Sequence, residues 1–259
     1  MFDYQGLQDG LFIALYCMAG CVALIACLYL LLRRRNLFMQ EVGPESLLTI
    51  DLPSGRRLRL GHAIRASRRL RRWTAAFLLT AALSHVWWYG VGQWWLVDDH
   101  LVRTLLVIML DHATLVPLLM GVLLAMLQDR RRPLWPWLLV QVPVVMFGVM
   151  GILRRDWFYG YTLAHWWQLG VCAVFVTYYI YALRQYGGWL RDNYADLEHK
   201  QVWQSLALAL VLFAIYGLYT SNMGEMPREY LSQLLTVAIV AFLVWRAETL
   251  QELSDGGLP

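Results

Sequence analysis

Residues 11–35 read LFIALYCMAGCVALIACLYLLLRRR, an apolar run closed by three arginines. A hydrocarbon core of about 30 Å is crossed by roughly 20 apolar residues of helix. Leu11–Leu32 therefore predicts a transmembrane span with its basic flank in the cytoplasm. The run is too long for the apolar region of a signal peptide, follows an acidic start, and has no small-x-small site behind it. It is expected to stay as a first span.

The rest of the chain agrees in composition. Of 259 residues, 59% are hydrophobic and 15% charged, against about a quarter charged in soluble domains. The mean hydropathy is +0.46. Thirteen Trp and 14 Tyr fit the aromatic belts of a membrane interface. Apolar segments near 11–33, 73–97, 101–127, 134–153, 158–183, 202–221 and 230–246 predict an all-α, seven-transmembrane-helix bundle occupying residues 1–254, with a short tail at 255–259. Short connections, such as Asp98–His100 and Arg130–Pro133, imply antiparallel neighbours. Cys17, Cys21, Cys27 and Cys172 all fall inside apolar segments and read as small packing residues.

Positive charge sets the orientation. The stretches after spans one, three, five and seven hold 18 of the 22 Lys and Arg, and the opposite side holds Arg103, Arg154, Arg155 and Arg228. The N-terminus is thus expected outside (periplasmic) and the C-terminus in the cytoplasm of a bacterial inner membrane. The net charge of +4 belongs to these loops and to anionic headgroups, so direct nucleic-acid binding is not expected.

The long first inner loop, 34–72, carries its own pattern. Leu48, Ile50 and Leu52 alternate with polar residues, as do Leu58 and Leu60, with Pro53, Ser54 and Gly55 between them. This predicts a small cytoplasmic β-hairpin. Ala63–Arg72 then reads as a basic amphipathic helix lying along the inner leaflet and running into span two. A second connector, Arg184–Lys200, starts where Gly187 and Gly188 are expected to break span five. Its Asp192, Asp196 and Glu198 read as a solvated acidic face with Tyr194 on the interface, and the spacing matches no metal-ligand signature. After span seven, Leu250 and Leu253 in WRAETLQELS suggest a short apolar stripe on a helix that leaves the membrane.

Ionisable residues at membrane depth are functional candidates by default. His85 lies midway along span two, Asp111 and His112 at similar depth in span three, and His165 a third of the way into span five. Asp111 and His85 could meet as a hydrogen-bonded pair, either as a structural clasp or as part of a ligand pocket in the outer half of the bundle. Trp87, Trp88 and Trp166 would supply apolar walls for such a pocket. An interfacial belt explains Trp94, Trp95 and Trp157 but not the deeper Trp87 and Trp88. Haem is not expected, because two clear His pairs on facing helices are missing, and no other cofactor or metal is called for. Pro117 and Pro143 mark expected kinks.

LRRRNLF, ALSHVWW, LDHATLVPLLMGVLLAMLQDRRRPLWPW, WLRDNYADLEHKQVWQS and WRAETLQELS together resemble the seven-helix membrane input domains of sensory regulators from Bacteroidota-type bacteria. In that family the membrane part commonly precedes a histidine-kinase core or an AraC-type helix-turn-helix domain. The resemblance implies signal transduction, in a two-component system or transcription regulation, with an output domain or partner beyond these 259 residues. It also implies a homodimer. It marks His85, Trp87, Trp88, Asp111, Arg130, Arg131, Arg132, Asp192, Tyr194, Asp196 and Glu198 without assigning them chemistry. The expected function is a sensory input module that binds an unknown small molecule or lipid among spans two, three and five and transmits through span seven. The alternative is a polytopic enzyme acting on a lipid or lipid-linked substrate, with His85 and Asp111 as acid and base. No GxSxG, HExxH or DxxxD motif supports it, so the chain is not expected to be an enzyme.

Overall fold

The computed structural model describes residues 7–33, 48–51, 57–60, 67–91, 99–193, 201–219, 225–250 and 253. The chain is a helical bundle of the multi-pass membrane type. Helix α1 covers Leu7–Leu32, and two short strands, β1 (Leu48–Asp51) and β2 (Arg57–Leu60), follow it. They pair antiparallel, Leu48 opposite Leu60 and Asp51 opposite Arg57. Then come α2 (Arg68–Gly90), α3 (His100–Met126), α4 (Trp135–Val140) and α5 (Val142–Arg154). A π-helical segment, Phe158–Leu163, leads into α6 (Ala164–Asn193), and α7 (Trp203–Tyr219) and α8 (Glu225–Thr249) complete the set.

The distribution of apolar side chains is that of a protein solvated by lipid. On α1 the large residues Leu11, Ile25, Leu31 and Leu32 face outward, while Ala19, Ala23 and Cys27 are buried. Positions 19, 23 and 27 lie one turn apart, so they form one stripe of small side chains. Lipid tails give large apolar groups no reason to turn inward, and small residues let backbones approach. The Cys27 thiol accordingly reaches the Ala75 carbonyl on α2 at 3.3 Å. Deeper packing comes from Leu70, Leu78, Leu124, Met126, Tyr179, Tyr186, Leu243 and Leu250.

Among the described residues, five segments are long and apolar enough to cross a bilayer: Gly10–Leu32, His100–Met126, Trp135–Arg154, Phe158–Asn193 and Tyr230–Thr249. The other two expected spans differ for identifiable reasons. Helix α2 has the length but spends it on Thr74, Ser84, His85, Trp87, Trp88 and Tyr89. In α7 the apolar stretch that qualifies is shorter, Trp203–Ile215.

Contacts at the two ends of the bundle fix how consecutive segments run. One end gathers the end of α1 with the start of α2 (Arg71 to the Leu30 carbonyl, 3.1 Å) and the loop after α3 with late α6 (Arg130 to Gln185). It also gathers the start of α7 with the end of α8 (Arg246 to the Gln201 carbonyl, 2.7 Å). At the other end Asp99, ahead of α3, meets Arg155, behind α5, at 3.0 Å. Segments therefore alternate in direction, and α1 starts at the end opposite to the one where α8 stops.

The basic run at Arg68–Arg72 opens α2: Ser67 caps the helix by accepting from the Leu70 N–H, and it runs on from Arg68 without interruption, while residues 63–66 lie outside the described residues. Other local expectations are corrected. Gly187 and Gly188 do not break α6, which continues to Asn193 with Tyr186 and Leu190 buried on either side. Pro117 sits inside an unbroken α3, whereas Pro143 starts a new helix after Gln141, which splits the fourth segment into α4 and α5. Helix α8 does not project beyond the bundle. It stops at Thr249, Leu250 is fully buried, and the Leu253 N–H donates to Gln128 Oε1 at 2.9 Å.

Candidate functional site

Helix α2 bears two polar knots on different faces. Ser84, Trp87 and Trp88 stand at i, i+3 and i+4, one stripe of a helix, and this stripe faces α3. Asp111 accepts from all three: Ser84 Oγ at 2.7 Å and Trp87 Nε1 at 3.0 Å on Oδ1, and Trp88 Nε1 at 2.7 Å on Oδ2. Both carboxylate oxygens are thus occupied by donors from one neighbouring helix. Such an arrangement holds a costly group at membrane depth by hydrogen bonding.

His85 follows Ser84 by one residue, about 100° around the helix, and so turns away from α3. The expected His85–Asp111 pair does not form. Instead His85 Nδ1 lies 2.8 Å from the Ala81 carbonyl, and Nε2 lies 3.0 Å from Gln233 Oε1 on α8. The Tyr16 hydroxyl on α1 donates to the His85 carbonyl at 2.6 Å, and the two rings stand 4.7 Å apart. Helix α1 comes this near because Gly20 has no Cβ; one there would meet the His85 ring at 3.2 Å. A proton on Nδ1 serves the Ala81 carbonyl, so a neutral ring accepts at Nε2 from the Gln233 amide once that amide is flipped, and a charged ring donates to Oε1. Either way, one imidazole ties α1, α2 and α8.

His112 and His165 are brought together, with ring centroids 6.4 Å apart. His112 Nδ1 donates to the Ile108 carbonyl at 2.7 Å, and His165 stacks on Tyr161. Trp166 is 60% exposed and points away from this cluster, so it does not wall a pocket. Position 165 faces the bundle, and a one-residue step on a helix faces lipid.

Near the other end of α2, Arg71 reaches the carbonyls of Leu30 and Arg33 at the end of α1, where the helix dipole favours a cation. It also faces Glu248 of α8 at 3.5 Å, and the Glu248 side chain is wholly buried. The inner-loop candidates divide. Arg130 donates to Gln185, and Arg132 pairs with Asp129 (Nη2 to Oδ2, 2.8 Å), while Arg131 is exposed. Asp192 is exposed at the end of α6, and Leu250 and Leu253 pack inward. Tyr194, Asp196 and Glu198 lie outside the described residues.

Sequence reasoning passed over Tyr16, Gln233 and Glu248. Gln233 and Tyr16 carry no charge and so escaped a search for ionisable groups. Glu248 and Arg71 sat in stretches assigned to the membrane surface. A search for every hydrogen-bonding side chain within a turn of each span would have found all three. Neither protein-family models, nor curated proteins, nor solved structures match this chain.

Proposed function

We propose that this chain is a sensory input module of a bacterial cytoplasmic membrane, crossing it seven times with the N-terminus outside. The alternating direction of the segments and the basic inner connections support that topology, with α2 and α7 as the two less apolar crossings. The observation that carries the functional reading is the double tie between α2 and α8. His85 meets Gln233 toward one end and Arg71 meets Glu248 at the other, 14 residues or about 21 Å apart along α2. Helix α2 also holds Asp111 through Ser84, Trp87 and Trp88.

A small molecule or lipid entering between α2, α3 and α6 has to take Trp87 or Trp88 from Asp111. That exchange turns α2, and the two ties pass the turn to α8 and its buried end at Leu250. The ligand acts only if it binds the turned packing better than the resting one. An output domain or partner protein reads the inner end of α8, and a homodimer would present two such ends. The enzyme alternative has less support, because its proposed acid–base pair is replaced by two separate, satisfied clusters.

Chromosomal strains carrying Glu248→Gln, Trp88→Phe or a deletion of the chain test the reading through transcript profiles and membrane lipid composition measured side by side. A sensor predicts that the point variants move a narrow, shared gene set several-fold and leave the lipids unchanged. Altered lipids with unaltered transcripts would replace the sensor with the enzyme.

A further inference from the structure

The inner ends of α2 and α3, with the turn that leads to α4, line a half-open cleft of about 600 Å³. Its wall carries Arg68, Arg69, Arg72, Arg131 and Arg132, and its floor is Trp73 with Leu124 and Leu134. Among the described residues no carboxylate pairs with Arg68, Arg69, Arg72 or Arg131, whereas neighbouring Arg71 and Arg132 each have one. Arg132 is 4% exposed, and its Nε has no hydrogen-bond partner. Five guanidinium groups around one cleft repel one another at a cost that a bound anion removes. Three of them come from the first turns of α2, whose dipole adds to the positive field.

We infer that this cleft is a binding site for a phosphate-bearing anion, the arginines holding the phosphate and Trp73 and the leucines its apolar neighbour. Arginine's planar fork of donors suits phosphate oxygens better than a point charge does. Two sources can supply this chemistry: the headgroup of an anionic lipid in the inner leaflet, which the apolar floor suits, or a soluble phosphate compound. The inference does not depend on the sensory reading, since the site is equally available to an enzyme.

Radiolabelled pyrophosphate is titrated onto the full chain in phosphatidylcholine nanodiscs, and again in nanodiscs containing phosphatidylglycerol. Native mass spectrometry of the second set reports retained lipid. The variant Arg68→Gln/Arg131→Gln changes two exposed cleft arginines, and Arg130→Gln/Arg184→Gln removes the same charge from the same side outside the cleft. Roughly tenfold or greater loss of pyrophosphate binding or of retained phosphatidylglycerol in the first variant alone supports the site. Phosphatidylglycerol that displaces pyrophosphate identifies the lipid as the natural source; pyrophosphate binding unaffected by it points to a soluble anion. A further variant, Gly121→Ala, keeps every charge but sets a Cβ 2.7 Å from the Trp73 ring, so the ring must shift against the cleft; it is expected to weaken binding too. Equal loss in both double variants, or no binding by the unmodified chain, overturns the site.

Discussion

Asp111 shows what one residue decides here. Its two oxygens satisfy two indoles and a hydroxyl, so Asp111→Ala removes the acceptor of three donors at once. Each buried donor left unsatisfied costs about 1–3 kcal/mol, so Asp111→Ala should destabilise clearly, and Asp111→Asn, which keeps one acceptor oxygen, should fall between it and the parent. Thermal unfolding in nanodiscs checks the order, and an Asp111→Ala protein as stable as the parent would mean the clasp does not exist. His85 gives a sharper test because it separates two geometries. A double-mutant cycle between His85→Ala and Gln233→Ala should show coupling of about 0.5–1.7 kcal/mol, the range of interhelical hydrogen bonds in membranes. The cycle between His85→Ala and Asp111→Ala should show coupling near zero. The reverse result would restore the pairing that depth along the spans suggested and remove the link from α2 to α8.

At the scale of elements, the crossing of α5 with the π-helical segment rests on two glycines. A Cβ on Gly151 would lie 2.2 Å from the Gly160 Cα, and a Cβ on Gly160 would lie 2.7 Å from Leu105. Backbone cannot yield as a flexible side chain does, so Gly151→Ala should cost at least the ~1–3 kcal/mol typical of overpacking. Gly170→Ala is the matched control: nothing lies within 4 Å of its would-be Cβ in α6, so better helix propensity should leave the protein equal or up to ~1 kcal/mol more stable. Equal destabilisation by both would show that the close crossing is not formed. The elements themselves were legible. Apolar length marked the five segments long enough to cross a bilayer, and Pro143, expected as a kink, lies where the fourth segment divides into α4 and α5. Gly187 and Gly188 misled because a helical glycine costs only about 1 kcal/mol, which burial of Tyr186 and Leu190 offsets. Pro117 lies within a continuous α3.

For the whole molecule, the partners of each helix were not legible, and lipid is the reason. In water, apolar periodicity points to the core; here Ile25 and Leu32 face out while Ala19 and Ala23 face in, so periodicity does not say which face meets a neighbour. His85 could be placed at the right depth yet not at the right azimuth. Sidedness is the property that both sequence charge and contact geometry address, and it can be measured directly. In a background with Cys17, Cys21, Cys27 and Cys172 replaced, single cysteines at positions 33, 100, 130, 155, 192, 201 and 222 sample every connection between segments. A membrane-impermeant maleimide applied to intact cells should label positions 100, 155 and 222, and should reach 33, 130, 192 and 201 only after permeabilisation. The pair 33 and 100 tests whether α2 crosses, and the pair 201 and 222 tests α7, the two helices whose hydropathy leaves them short. Labelling of 33 and 100 from the same side would leave α2 lying in one leaflet. It would also break the antiparallel reading of the Arg71–Glu248 and His85–Gln233 ties, because two contacts about 21 Å apart along one helix need that helix to stand across the membrane.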